Sequence, residues 1–501
     1  MEINTELNPT PHSERNHGIE LLRIFAMLLA AVLHILKKGG VITASEGNLA
    51  AYSTVWLLEA AAYCAVNCYA LISGYVGYSD RPKPLRLARC IELWLQVVFY
   101  SVIITTVYCI AGVGSVGVSD FEKLRENNYY YIDKTGFISK LLQTKSAEVT
   151  LITRPRRFGK TLGMRMLASF FDIRKDSRTI FEGLEISKNT ALCDEWMNQY
   201  PTLFLSFKDV DGLTFSSACD MLMYTISDLY QQHLYLLESD SVNDYDKEII
   251  HHIAERKATV SEIKQSLVLL TKALASYYAK PVILLLDEYD VPIAKASSNG
   301  YYDQMLEIIK GMLSTSLKDN AALRFAVITG CLRIAKESIF SGMNNLKINS
   351  ILDSDYSSYF GFTKNEVIDM LQYYGYENKY QEICEWYDGY RFGNTEIFNP
   401  WSVINYIADK CFPKAFWQST GSNEIIGEII SNASNEINEN LYKLLCGEKI
   451  TTYIDTSVIY PEVQNNPYSI YSFLLVAGYL KVASIYPQYD GNFMCDVSIP
   501  N

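Results

Sequence analysis

The apolar positions of this chain fall into two regimes. Up to about residue 119 they form long unbroken runs. Leu21–Leu36 is interrupted only by Arg23 and His34, Gly47–Ser79 holds a single charge at Glu59, and Leu93–Ser119 holds none. A helix needs about 20 residues to cross roughly 30 Å of hydrocarbon. The pattern therefore predicts about three transmembrane helices. The alternative is three buried helices of a large soluble domain, but globular helices average only about 11–12 residues. After residue 119 the runs shorten. Val149–Thr153 is a β-branched stretch that predicts a buried strand, and Leu162, Met166 and Phe170 follow at the spacing of an amphipathic helix. Pro281–Asp290 (PVILLLDEYD) places five apolar residues ahead of a cluster of acids, the pattern of a central parallel strand. Leu323–Thr329 predicts another strand and Phe204–Phe207 a further one. Thr259 with Glu262, and Thr363 with Glu366, read as capping boxes opening helices, the first running towards Tyr278. Helices are expected to dominate from there to about Ile430.

Composition sharpens this division. The chain has 501 residues and a net charge of −12. That length predicts two to four domains. Residues 1–117 carry eight basic and eight acidic side chains, so the whole −12 falls on the remainder. An acidic balance of this size excludes a generic nucleic-acid coat, which needs clustered Lys and Arg. The eleven cysteines include no CxxC pair, which points to reduced thiols rather than a zinc site or a disulfide framework. The acid-rich Leu237–Ile263 reads as a solvated insertion. The loop holding Arg81, Lys83, Arg86 and Arg89 favours the cytosol, yet Lys37, Lys38, Lys123 and Arg125 favour the opposite orientation, so basic residues leave the topology open.

Candidate chemistry lies at the strand ends. Between the strand at 149–153 and the helix after it runs Arg154-Pro-Arg-Arg-Phe-Gly-Lys-Thr161. A helix N-terminus presents free N–H groups and a positive dipole end to phosphates. Arg157, Phe158, Gly159, Lys160 and Thr161 are therefore the candidate nucleotide-binding stretch. Lys160 would reach the β/γ-phosphates and the Thr161 hydroxyl would hold Mg2+. The first Gly of the usual P-loop pattern is absent, and Arg154 stands there. Asp287 is expected to hold Mg2+ through water, Glu288 to orient or deprotonate the attacking water, and Asp290 to support either carboxylate. Thr329 could sense the γ-phosphate and Arg333 stabilise transferring charge. Trp386–Gly393 (WYDGYRFG) reads as an aromatic turn packing a C-terminal lid, with a peptide- or base-stacking site as the alternative. In the leader, Arg23 and His34 lie about three turns apart, roughly 16 Å along one helix face, a pair suited to an anionic donor and a proton relay.

Two resemblances follow from these residues. GIELLRIFAMLLAAVLHIL, with Arg23 and His34, and the later ALISGYVGYS resemble membrane acyltransferase family 3 over residues 15–115. YYYIDKTGFI, TRPRRFGKTL, LLLDEYDVPI, ITGCLRIAKESIFSGMNN, EWYDGYRFG and NPWSV resemble, in that order, the bacterial AAA-ATPase-like family over residues 118–501. The second resemblance implies ATP and Mg2+ as cofactors. The expected architecture is an α/β P-loop NTPase with a parallel sheet and flanking helices, a C-terminal helical lid, and about three transmembrane helices ahead of it. Its divisions are 1–117, a transmembrane acyltransferase-like fragment; 118–355, the P-loop core; and 356–501, a mainly helical lid. The expected function is an ATP-binding, ATP-hydrolysing module tethered by its leader to a bacterial inner membrane, with the ATPase part in the cytosol. Expected partners are nucleotide, membrane lipid and a protein bound through the C-terminal region; the oligomeric state stays open. The alternatives are a membrane O-acyltransferase fragment with a passive nucleotide-binding domain, and a non-hydrolysing scaffold.

Overall fold

The computed structural model describes residues 119–143, 148–333, 346–416, 434–456, 458, 467–488 and 493–500. The apolar leader, Arg23 and His34 lie outside the described residues. Among the described residues, no helix is long and apolar enough to cross a membrane.

The core is a five-stranded sheet of β1 (Val149–Thr153), β2 (Thr202–Ser206), β3 (Val282–Asp287), β4 (Leu323–Gly330) and β5 (Leu346–Asn349). Its order is β2-β3-β4-β1-β5 and every pairing is parallel. Every residue of β1 and β3 is buried. Both faces of the sheet are therefore covered, which explains why these strands read as continuous apolar runs rather than alternating ones. Helix Lys160–Phe171 packs on β2, β3 and β4, while helices Phe215–Gln231, Val260–Tyr278 and Tyr302–Leu317 also cover these strands.

Both capping boxes form. The Thr259 side chain caps Glu262 N–H and Glu262 returns to Thr259, and Thr363 and Glu366 do the same. The acid-rich stretch is solvated, with Glu238, Asp240, Asp244 and Glu248 exposed, and holds a helix, Asp244–Ala254, capped by Asn243 and docked through Ile250 and Ile253. Asp244 and Asp246 sit in its first turn, where the helix dipole favours them.

The C-terminal part adds strands to the expected helices. Besides helices Lys364–Tyr374, Tyr380–Tyr387, Pro400–Ala408, Asn435–Leu445 and Pro467–Ala477, it contains two antiparallel sheets. One is a hairpin of β6 (Tyr390–Phe392) and β7 (Thr395–Ile397). The other has β8 (Ile450–Ile454), β9 (Lys481–Pro487) and β10 (Phe493–Ser498) in the order β8-β10-β9. The WYDGYRFG segment is thus half helix end and half strand, with Gly393 at φ +51° making the hairpin turn.

Candidate functional site

In a parallel sheet the carboxyl ends of the strands gather at one edge. Here that edge collects Arg154–Thr161 after β1, Asp287–Asp290 at the end of β3, and Thr329–Arg333 at the end of β4. The 154–161 loop turns through two left-handed residues, Arg157 at φ +71° and Gly159 at φ +83°, the kind of backbone from which anion-binding loops are built. Gly159 is exposed and is the N-cap of helix Lys160–Phe171, so no side chain caps the free first-turn N–H groups. The Lys160 ammonium is buried and folds back onto its own loop, donating to the Arg154 and Pro155 carbonyls at 2.9 Å each.

Register decides what faces this loop. Ser206 pairs with Asp287, and Thr329 with Ile152, while Leu286 pairs with Ile328. Ser206, Asp287 and Thr329 therefore stand in one row across neighbouring strands. Asp287 is fully buried, and its carboxylate accepts from Thr329 Oγ1 at 2.7 Å and from Thr161 Oγ1 at 2.8 Å, with Ser206 Oγ at 3.4 Å. Thr161 and Asp287, expected to share one metal, lie within hydrogen-bond reach of each other. Their 2.8 Å separation is close to the roughly 3 Å between neighbouring ligands in an octahedron of oxygens around Mg2+. Thr329 spends its hydroxyl proton on Asp287 and orients that carboxylate.

Glu288 leaves β3 at φ +53°, a left-handed conformation that costs a non-glycine residue about 1–2 kcal/mol. Burial pushes its carboxyl above the usual range; the Lys160 charge opposes this, and the Asp287 and Asp290 charges reinforce it. Arg156, which sequence reasoning passed over, adds to the opposing charge. Arg333 lies three residues past β4, partly buried, and its Nε has no hydrogen-bond partner among the described residues.

The other loop residues brace the loop against the rest of the chain. Arg154 is fully buried, and its Nη1 donates to the carbonyls of Thr153, Asn349 and Ser350 at 2.7–3.0 Å. Its guanidinium stacks near Phe392, 5.1 Å from the ring centre, and burial lowers its pKa to about 10. The residue that displaces the usual first Gly thus ties the end of β1 to the turn after β5. Phe158, expected in the nucleotide-binding stretch, is buried against Tyr390 and Phe392 at 4.9 and 5.0 Å. The Arg157 guanidinium lies 4.6 Å from the Trp401 ring centre. Their side chains are engaged by the C-terminal part.

A parallel sheet with a glycine-capped helix and paired Thr and Asp at its edge defines a class, and comparison with known proteins agrees. Residues 115–340 match the AAA-ATPase-like family, described as "Predicted AAA-ATPase". The match supports a nucleotide-binding module over these residues. The chain is also similar to a protein from Azotobacter chroococcum described as an uncharacterized protein in the vnfD 5' region, 28% identical over 320 residues. The similarity covers 63% of this chain and 55% of that protein, so the chain spans about half the length of that relative.

Ser206, Arg156 and Trp401 were not singled out from sequence, and Tyr390 and Phe392 were read only as part of an aromatic turn. Ser206 ends a segment already recognisable as a strand, but its place beside Asp287 depends on strand order. The three aromatics lie some 230 residues or more from the loop they hold.

Proposed function

We propose that residues 118–355 bind ATP with Mg2+ and hydrolyse it. The observation that carries this reading is the Asp287 carboxylate shared between the Thr161 and Thr329 hydroxyls, at the mouth of a glycine-capped helix. ATP is the nucleotide suggested by the AAA-ATPase-like match. In this mechanism Lys160 leaves its two loop carbonyls to meet the β/γ-phosphates, and the first-turn N–H groups hold the remaining phosphate oxygens. Thr161 and Asp287 hold the metal, which when bound neutralises charge on the phosphate oxygens. Glu288, positioned by its left-handed backbone, orients and deprotonates the attacking water. Arg333 offsets charge on the transferring phosphoryl group. The apolar runs of residues 1–117 support tethering of this module to a membrane.

The test uses the full chain. Lys160→Ala should lose ATP binding and phosphate release, whereas Glu288→Gln should bind ATP and release phosphate at least about 100-fold more slowly. Phosphate release unchanged by Lys160→Ala rejects the reading. ATP binding by the native chain without phosphate release rejects hydrolysis and leaves a nucleotide-dependent scaffold. In the same preparation the chain should sediment with membranes after an alkaline wash; recovery in the supernatant rejects the tether.

A further inference from the structure

Asp290 and Tyr289 are buried and make no direct contact in the chemistry above, where Asp290 acts only through its charge on Glu288. Asp290 Oδ2 accepts from two consecutive backbone N–H groups, Cys331 at 3.0 Å and Leu332 at 2.9 Å. Its Oδ1 is buried with no partner among the described residues, so the carboxylate is held by backbone N–H groups, its own as well as those of Cys331 and Leu332. The Tyr289 hydroxyl donates to the carbonyl of the same Leu332 at 2.8 Å. Gly330 lets the two loops interlock: a Cβ there would lie 2.6 Å from Asp290 Oδ1 and 2.7 Å from the Tyr289 ring. On its other side the held turn touches the loop lysine, with Cys331 Sγ 3.6 Å from Lys160 Nζ. The next residue along is Arg333, whose buried Nε lacks an acceptor among the described residues. A buried guanidinium nitrogen left unpaired is unfavourable, and an incoming anion relieves it.

We propose that Asp290 is a positioning residue for phosphoryl transfer: by gripping the amides of Cys331 and Leu332 it sets the backbone from which Arg333 reaches the transferring phosphate. This rests on the hydrolytic reading given above. Asp290 touches no reacting atom; it acts through Arg333, and Tyr289 supports the same turn. Misplacement of a reacting group by about 1 Å can cost on the order of 100-fold in rate.

The experiment is steady-state ATP hydrolysis by the full chain. Asp290→Ala should lower kcat roughly 10- to 100-fold and change KM by less than about 3-fold. Asp290→Asn should recover most of kcat, because its carbonyl oxygen still accepts from both amides. Arg333→Ala should match Asp290→Ala, and the double variant should be no slower than Arg333→Ala alone. A native kcat for Asp290→Ala, equal damage from Asn and Ala, or multiplicative losses in the double variant would each overturn the proposal. Should Asp290→Ala not fold, Tyr289→Phe with Arg333→Ala supplies the same cycle, with a loss of a few-fold in kcat expected for the single change and none added in the double; an unchanged kcat or an added loss counts against it. Lys160→Ala separates the two ideas. If it retains native turnover, the hydrolytic reading fails; if it abolishes turnover while Asp290→Ala does not alter it, only the positioning role fails.

Discussion

At the scale of single residues, the position usually held by glycine is informative because its occupant does something else. Arg154 cannot line a phosphate cradle, since its Nη1 is consumed by three carbonyls on two strand ends. Restoring the glycine should therefore damage the protein. Arg154→Gly leaves buried carbonyls without donors, each costing about 1–3 kcal/mol, so a loss of at least about 3 kcal/mol is expected. Urea denaturation of the native and variant chains measures it, and equal midpoints would show that Arg154 is dispensable to the fold. Asp287 shows the complementary case. Its sequence context, an apolar strand ending in acids, is common in α/β proteins; what distinguishes it is that Thr161 and Thr329, 126 and 42 residues distant, both donate to it.

At the scale of elements, the 154–161 loop is a joint between the parallel sheet and the C-terminal part. Phe158 lies under the β6–β7 hairpin, and Gly361 N–H donates to the Phe158 carbonyl at 3.0 Å. Gly361 has φ +86°, and a Cβ there would lie 2.3 Å from Ile397 Cγ2 and 2.9 Å from the Phe158 ring. Gly375, at φ +75°, has nothing within 4 Å of the same position. Both Gly→Ala changes carry the left-handed penalty of about 1–2 kcal/mol. Gly361→Ala adds overpacking of roughly 1–3 kcal/mol and displaces Phe158. Thermal melts should rank Gly361→Ala well below Gly375→Ala, and nucleotide affinity should fall in the first alone. Equal melting points would mean that the hairpin yields freely and does not brace the loop.

At the scale of the whole molecule, the opposite end of the sheet carries a buried polar network with a pH consequence. Asp172, the C-cap of helix Lys160–Phe171, bridges to Tyr200 just before β2 and pairs with Arg174 at 2.7 Å. Arg174 Nη1 meets His233 Nε2 at 3.5 Å, and His233 Nδ1 meets the Tyr235 hydroxyl at 3.0 Å, which continues to Tyr278 at 3.1 Å. A guanidinium only donates, so Nε2 accepts and Nδ1 carries the proton. Burial, with the Arg174 charge, lowers the His233 pKa to about 3. The unfolded chain binds that proton near pH 6.5 and the folded chain does not, so stability is full above pH 6.5 and is lost as pH falls towards 3. Between pH 7 and pH 5 this one group should cost roughly 2 kcal/mol. Denaturant midpoints at the two pH values, compared with His233→Gln, should show the difference shrink by that amount; an unchanged pH dependence rules out His233 as its source.

The sequence alone determined what depends on local spacing. β1, β3 and β4 were legible because strands buried on both faces read as apolar runs. The helix starts at Thr259 and Thr363 were legible because a capping box closes within four residues. Gly159-Lys160-Thr161 and Asp287-Glu288 were legible because strand ends in a parallel sheet carry the polar groups. Tertiary structure decided the rest. The row of Ser206, Asp287 and Thr329 needs strand order and register, and the seats of Phe158 and Arg157 need aromatics some 230 or more residues away. The β6–β7 hairpin was missed because WYDGYRFG shows no strict alternation. Pairing partners in such strands are set by packing against the rest of the chain, which no local pattern encodes.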